Sequence, residues 1–214
     1  MSKTLSVQIH RQHFILHPTG AMFWEEQDLL LISDVHLGKV SHFRKHGSAV
    51  PQQAVNGNFR KLSEVVGFFE PSKIAFLGDL FHSVLNKEWQ LFEAWIENIS
   101  AEVILIEGNH DIISPLKYEA LGVKSVPELV LDEFFLTHHP EKRADLFNFS
   151  GHLHPGVKIS GRARQTLKLP CFFQSYGQMI LPAFGEFTGK YILDPREAEH
   201  VYLATSEEVI PLKK

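Results

Sequence analysis

The chain has 214 residues, 44% hydrophobic and 21% charged, enough to bury the core of one domain spanning residues 1–214. No apolar run approaches the roughly 18 residues needed to cross a bilayer, and the formal charge of −4 gives no global basic field. A nucleic-acid partner would therefore have to meet a local patch or bound cations. The lone cysteine, Cys171, excludes an intramolecular disulfide, and the opening MSKTLSVQIHRQHFIL lacks the apolar stretch of a signal peptide, so the expected setting is the reducing cytoplasm, with no membrane partner.

In chain order, the first continuous apolar run covers residues 28–33. A helix is expected after Pro51, with Val55, Phe59, Leu62, Val65, Val66 and Phe69 near helical spacing and Pro71 ending it. A second run, residues 73–77, precedes a helix over about 87–98 that buries Trp89, Phe92, Trp95 and Ile96. Further runs cover residues 103–106, 134–137 and 146–150. Short continuous runs rich in Ile, Leu and Phe read as strands in the middle of a sheet, and strand–helix–strand–helix–strand is the order of an α/β layered fold. Beyond residue 155, strand-like pieces near 167–173, 178–181, 190–193 and 200–204 are expected to form a second sheet. The expected fold class is α/β: two mixed β-sheets packed face to face and flanked by helices.

Thirteen histidines are many for this length, and their placement decides what they do. Asp34-Val-His36 follows the first run. Gly78-Asp79 follows the second, with His82 three residues on, and Glu107-Gly-Asn109-His110-Asp111 follows the third. His138-His139-Pro140 and Gly151-His152-Leu-His154 follow the last two. Ligands of open α/β sheets bind beyond the carboxyl ends of the strands, so these five clusters are expected to converge. An Asp-x-His at a strand end puts a carboxylate and an imidazole on one face of an extended chain. Glycine before Asp79, Asn109 and His152 is expected to permit sharp turns. Carboxylate, imidazole and amide oxygen suit Mn²⁺, Fe²⁺ or Zn²⁺. Seven candidate ligands are too many for one ion; two ions bridged by a carboxylate use them all.

The ordered set Asp34-x-His36, Gly78-Asp79, Gly108-Asn109-His110-Asp111, His138-x-Pro140 and Gly151-His152-x-His154 resembles the signature of the calcineurin-like metallophosphoesterase superfamily. By that resemblance Asp34, His36 and His154 hold one metal, Asn109, His138 and His152 the other, and Asp79 bridges them. His138 is preferred to His139 because the family pattern is His-x-Pro. His110 would donate to the phosphate or leaving group, oriented by Asp111, with a metal-bridging hydroxide as nucleophile. Further segments resemble the bacterial ligase-associated DNA damage response endonucleases: residues 34–39, 43–47 up to Pro51, 78–82, 151–155 and 181–189. One position departs from that pattern, with Lys190 where a second glycine is expected. The resemblance implies two divalent ions, Mn²⁺ first, a DNA or RNA substrate, and association with an ATP-dependent DNA ligase and helicase. His82 is similar to the second histidine that double-strand-break repair nucleases place near the scissile phosphate.

Lys39, Arg44 and Lys45, with Arg162, Arg164 and Lys168, are candidate contacts for a phosphate backbone, against the plain alternative of a solvated charged face. Phe43 is a candidate for stacking on a base, with packing the competing role. The remaining histidines (His10, His13, His17, His42, His46 and His200) are expected at the surface or in packing. Two other functions compete: a small-molecule or nucleotide phosphoesterase on the same site, and a non-catalytic protein-binding scaffold.

Overall fold

The computed structural model describes residues 3–39, 53–82, 85, 87–161, 165–186 and 188–213, with side chains of the first helix described from residue 56. A seven-stranded sheet is built from β1 (Leu5–Ile9), β2 (Gln12–Leu16), β3 (Met22–Trp24), β4 (Leu29–Ile32), β5 (Lys73–Leu77), β6 (Glu102–Ile106) and β7 (Val123–Val126), in that spatial order. Its first four strands form an antiparallel meander, and β4 to β7 run parallel. The parallel crossovers are helical: α1 (Gln53–Phe69) between β4 and β5, α2 (Lys87–Ile96) between β5 and β6, and the short α3 (Pro115–Glu119) before β7.

The second sheet holds β8 (Leu129–Leu131), β9 (Phe134–Leu136), β10 (Phe147–Ser150), β11 (Pro155–Ser160), β12 (Thr166–Ser175), β13 (Gln178–Ile180) and β14 (Tyr191–Ile192). Its spatial order is β14-β11-β12-β13-β10-β9-β8, and β15 (His200–Ala204) and β16 (Val209–Pro211) extend it from β12. The expected pairing of two mixed sheets with flanking helices is what forms. The expectation that the second sheet starts beyond residue 155 was too narrow. β9 and β10 belong to it, because β10 pairs in parallel with both β9 and the distant β13. The meander β1–β3 and strand β11 were not anticipated.

Alternation along β4 explains the layering. Leu29 and Leu31 face the second sheet, while Leu30 and Ile32 face the helices. Between the sheets lies an aromatic core in which the Phe134 and Phe149 rings stack at 5.3 Å, with Phe14 and Trp24 against them. On the other face of the first sheet, Leu62 and Val65 of α1 and Trp89, Phe92 and Trp95 of α2 cover Ile74, Phe76, Val103 and Leu105. This stripe is the reason those two helices form where they do. Cys171 packs with Phe173, Val201 and Leu203 on the outer face of the second sheet. Among the described residues no helix is long and apolar enough to cross a membrane.

Two buried polar residues also shape the frame. Asn148 of β10 donates through Nδ2 to Thr137 Oγ1 (2.8 Å) and the Phe135 carbonyl (3.1 Å), and its Oδ1 accepts from the Glu141 amide (3.1 Å), bracing the loop that carries His138. His17 is 1% exposed against the rings of Phe68 and Phe69, with Nδ1 2.8 Å from Thr19 Oγ1. Burial first, then the charge of Lys61, lowers its pKa to about 4. A base with a depressed folded pKa is bound by more protons in the unfolded chain, so its contribution to stability is lost as pH falls from 6.5 toward 4. We expect urea unfolding to show a loss on the order of 1 kcal/mol between pH 7 and 5 after allowance for screening, and the loss to shrink in His17→Gln. An unchanged pH slope in that variant would remove His17 as its source.

Candidate active site

Five loops meet where β4, β5, β6, β9 and β10 end, so both sheets contribute. The first two are zipped together by backbone hydrogen bonds: Asp34 N–H donates to Gly78 O (3.2 Å), His36 N–H to Asp79 O (2.9 Å) and Leu37 N–H to Leu80 O (2.8 Å). The carboxylates are then fixed by amides of the other loops. Asp34 Oδ2 accepts from the His152 amide and Asp79 Oδ1 from the His110 amide, both at 2.9 Å.

What remains is a set of carboxylate, amide and imidazole atoms facing one another. His154 Nε2 lies 3.2 Å from His36 Nε2 and 3.2 Å from Asp34 Oδ1. His138 Nδ1–H donates to the Leu77 carbonyl at 2.9 Å, which in the neutral ring leaves the Nε2 lone pair pointing at Asn109 Oδ1 (3.0 Å) and His152 Nδ1 (3.1 Å). Asp79 sits between the two groups, Oδ2 3.9 Å from His36 Nε2 and Oδ1 3.5 Å from His138 Nε2. Asp34 Oδ1 and His36 Nδ1 are buried without a hydrogen-bond partner. Such a donor-poor pocket is costly unless a cation completes it, and the clusters Asp34–His36–His154 and Asp34–Asp79–His138 are compact enough to hold one. The residues present fit divalent cations. Burial lowers the pKa of His36 to about 2, with Lys39 and neighbouring histidines adding to the effect, and burial likewise lowers that of His152. Burial thus favours the neutral form of both rings, the form with a lone pair to give.

The convergence expected from the sequence occurs, but its local cause differs from the expectation. Asp34 and His36 are not in extended chain. β4 ends at Ile32, and their φ values are +52° and +51°. Asp79 (+51°), His152 (+67°) and His154 (+49°) are also left-handed. A non-glycine residue in that region costs about 1–3 kcal/mol, and such residues collect at functional sites. The glycine expectation is corrected in the same way. Gly78 does turn, at φ +79°, and a Cβ there would lie 2.2 Å from His138 Nδ1. Gly108 and Gly151 are needed for space instead: a Cβ would lie 2.4 Å from Asp79 Oδ1 and 2.4 Å from Asp34 Oδ2 respectively.

Around this centre, His110 is partly exposed, its ring 4.9 Å from that of His82 and 5.8 Å from that of His36. Asp111 does not reach the His110 ring. Its Oδ2 accepts from the Gly108 amide (2.9 Å) and its Oδ1 from the Phe81 amide (3.1 Å), so it braces the loop instead. Burial raises its pKa to about 6 against those hydrogen bonds. His139 is exposed and lies against His152, with ring centroids 4.0 Å apart. Lys39 is half-buried; burial lowers its pKa, and Asp34 and Asp79 pull it back. Arg44, Lys45, Phe43, His42, His46, Arg162 and Arg164 lie outside the described residues.

Sequence reasoning missed three supports. Glu88, buried in the first turn of α2, accepts from the Gly38 amide at 2.6 Å and so holds the loop after His36. Asn58 of α1 donates to Val35 O (3.3 Å) and accepts from Glu186 N–H (3.0 Å). The segment 184–185 lies on the Asp34 loop, with Phe184 N–H on Ser33 O (2.9 Å) and Gly185 N–H on Asp34 O (3.0 Å). Of the three, only the segment 184–185 carried a signal in sequence, within the resembling stretch 181–189, and that signal did not reveal its bonds to the Asp34 loop.

The family model for calcineurin-like phosphoesterases matches residues 28–165. A Pseudomonas putida protein whose crystal structure is described as the nuclease MPE is similar at 29% identity, over 98% of this chain and 100% of that one, with a TM-score of 0.81. A phosphoesterase from E. coli aligns at 13% identity over 85% of this chain and 96% of that one (TM-score 0.43), too loosely to carry an argument. A protein of unknown function from Aquifex aeolicus aligns as loosely, at 15% identity over 59% and 78% (TM-score 0.42). The curated proteins contain no match.

Gly78 offers a direct test of the pocket. Gly78→Ala should displace His138 and lower the bound divalent metal, measured by elemental analysis of the purified protein. Gly122→Ala, left-handed at φ +77° but with nothing within 4 Å of a Cβ, should cost only stability, about 1–2 kcal/mol. Equal metal content in the two variants would show that His138 does not depend on Gly78.

Proposed function

The chain belongs to the calcineurin-like phosphoesterase family, whose members are metal-dependent phosphoesterases, and we propose that it is a dinuclear phosphodiesterase acting on nucleic acid. One observation carries this: Asp79 turns one oxygen toward the Asp34–His36–His154 group and the other toward the His138–His152–Asn109 group. Asp34, His36 and His154 would then hold one cation and Asn109, His138 and His152 a second, with Asp79 placed to serve both. His138 is taken over His139 because its Nδ1–H is engaged by Leu77 and its Nε2 faces inward. Nitrogen and oxygen donors of this kind suit Mn²⁺, with Fe²⁺ or Zn²⁺ as alternatives.

When bound, divalent cations at this site supply Lewis acidity toward phosphoryl oxygens and make water acidic near neutral pH. The chain's own residues do the remaining work. The hydrogen bond from the His110 backbone N–H to Asp79 Oδ1 holds the His110 loop over the pocket, and the partly exposed His110 ring donates a proton or hydrogen bond to the phosphate or the departing alkoxide. His82, beside it at 4.9 Å, serves the same side of the phosphate. Asp111 is a positioning residue, tying the Gly108 turn to the Phe81 loop. Lys39 offers a cation to phosphate oxygens, and Arg44 is assigned the same role from sequence alone.

A polymer substrate is supported by the opening of the site, since Asn109 and His139 are exposed and His82, His110, His152 and His154 partly so. It is supported further by the likeness to the Pseudomonas putida nuclease along nearly the whole chain. We place the activity in DNA repair in the cytoplasm, in association with an ATP-dependent DNA ligase and helicase, on the resemblance of residues 34–39, 78–82 and 181–189. His110→Ala should lower Mn²⁺-stimulated hydrolysis of bis-p-nitrophenyl phosphate by about 10²–10⁴-fold while leaving metal content unchanged. Equal rates would exclude His110 from the chemistry. Incubation with single-stranded, duplex and nicked DNA and with cyclic nucleotides ranks the substrates. Cleavage of cyclic nucleotides alone would end the nuclease reading.

A further inference from the structure

A crevice of about 360 Å³ begins at His154 and runs between Lys61, Glu186 and Lys190 over Phe184 and Pro170. Across Lys61, Pro170, Ala183 and Lys190 it joins a second hollow of about 520 Å³ that reaches Lys168 and Thr19. The charged side chains lining the two, apart from His154, are Lys61, Lys168, Lys190 and Glu186. In a chain of net charge −4 that is a local reversal of sign.

Two details mark this surface as made for an anion. Lys158 stands directly opposite Lys168 in the antiparallel β11–β12 pair, and both are exposed. Like charges so placed repel, and among the described residues neither has an ion-pair partner. Lys190 lines both hollows. Its stem lies along Gly156, where a Cβ would come within 3.1 Å of Lys190 Cβ, so the bare backbone of β11 makes room for it. The floor is apolar: Pro170, Pro182 and Leu169. Lys61 donates to the Phe184 carbonyl at 2.6 Å, and burial lowers its pKa to about 8; an adjoining phosphate would favour its charged form.

We propose that this crevice carries a single-stranded polynucleotide away from the scissile phosphodiester, with Lys61, Lys168 and Lys190 on its phosphates and its bases on the proline–leucine floor. The inference rests on the nuclease reading and extends it by naming the strand path. Single strands present base faces as well as phosphates, and grooves that bind them combine cations that track the backbone with side chains against which the bases lie, aromatic ones above all. Duplex DNA hides its base faces, so the apolar floor gains nothing from it.

The test is binding of a labelled short single-stranded DNA, followed by fluorescence anisotropy, to the full Mn²⁺-loaded chain carrying His110→Ala to prevent turnover. Adding Lys168→Gln and Lys190→Gln should weaken binding about tenfold. It should also make the slope of log affinity against log salt shallower by about 1.4, the value for two lost contacts to a single strand, with an unchanged thermal midpoint showing an intact fold. No binding by the parent, or identical affinity and slope with and without the lysines, would overturn the proposal, as would an equal loss for duplex of the same length. Hydrolysis of bis-p-nitrophenyl phosphate by the wild type is read in parallel, so failure of the metal site and failure of the strand path are told apart.

Discussion

Carboxylate and imidazole groups crowded into a buried pocket set the terms for the rest of this molecule. Asp34, His36 and Asp79 are 0–3% exposed and His138 is 2% exposed, and their oxygen and nitrogen atoms, with those of Asn109 and His154, face one another at 3.0–3.9 Å. Taking such groups out of water costs several kcal/mol for each charge unless a counter-charge is brought in. The pocket holds its shape because hydrogen bonds from backbone amides tie several of these residues to other loops. His36 N–H reaches Asp79 O, His152 N–H reaches Asp34 Oδ2, and Gly151 N–H reaches His138 O. These ties offset the left-handed backbone at five ligand residues.

That requirement explains the use of two sheets. β4, β5 and β6 present three loops from one layer, and β9 and β10 present two from the other, so ligands approach the same volume from opposite sides. The aromatic packing of Phe14, Trp24, Phe134 and Phe149 fixes the separation of the layers. The segment 181–185 then spans them, with Leu181 N–H on Ser150 O at one end and Gly185 N–H on Asp34 O at the other. Dense interiors are bistable rather than compliant, so a small change in that spacing would move ligands from both sheets at once.

Charge is distributed to match. Acidic and imidazole groups gather at the centre, and lysines lie to one side, along a crevice that starts at a metal-site histidine, His154. On the proposed reading, a polyanion would meet attraction along the crevice and the metal site at its end. Placing the lysines locally, in a chain whose overall charge is negative, limits non-specific attraction at a distance.

The sequence by itself determined which polar clusters converge. Polar residues phased to the ends of apolar runs can gather only where strand ends gather, and periodicity in residues 55–69 and 87–98 marked the helices. Burial of Trp89 and Trp95 was legible for the same local reason. Tertiary structure alone decided which sheet β9 and β10 join, since Asn148 finds its parallel partner at Gln178, thirty residues on and beyond two other strands. It also decided the sign of φ at Asp34, His36 and Asp79, and the use of Glu88 to hold Gly38 across fifty residues. Propensity and periodicity act over a few neighbours, whereas backbone handedness, sheet membership and buried hydrogen bonds are settled by partners that the chain brings together only when it folds.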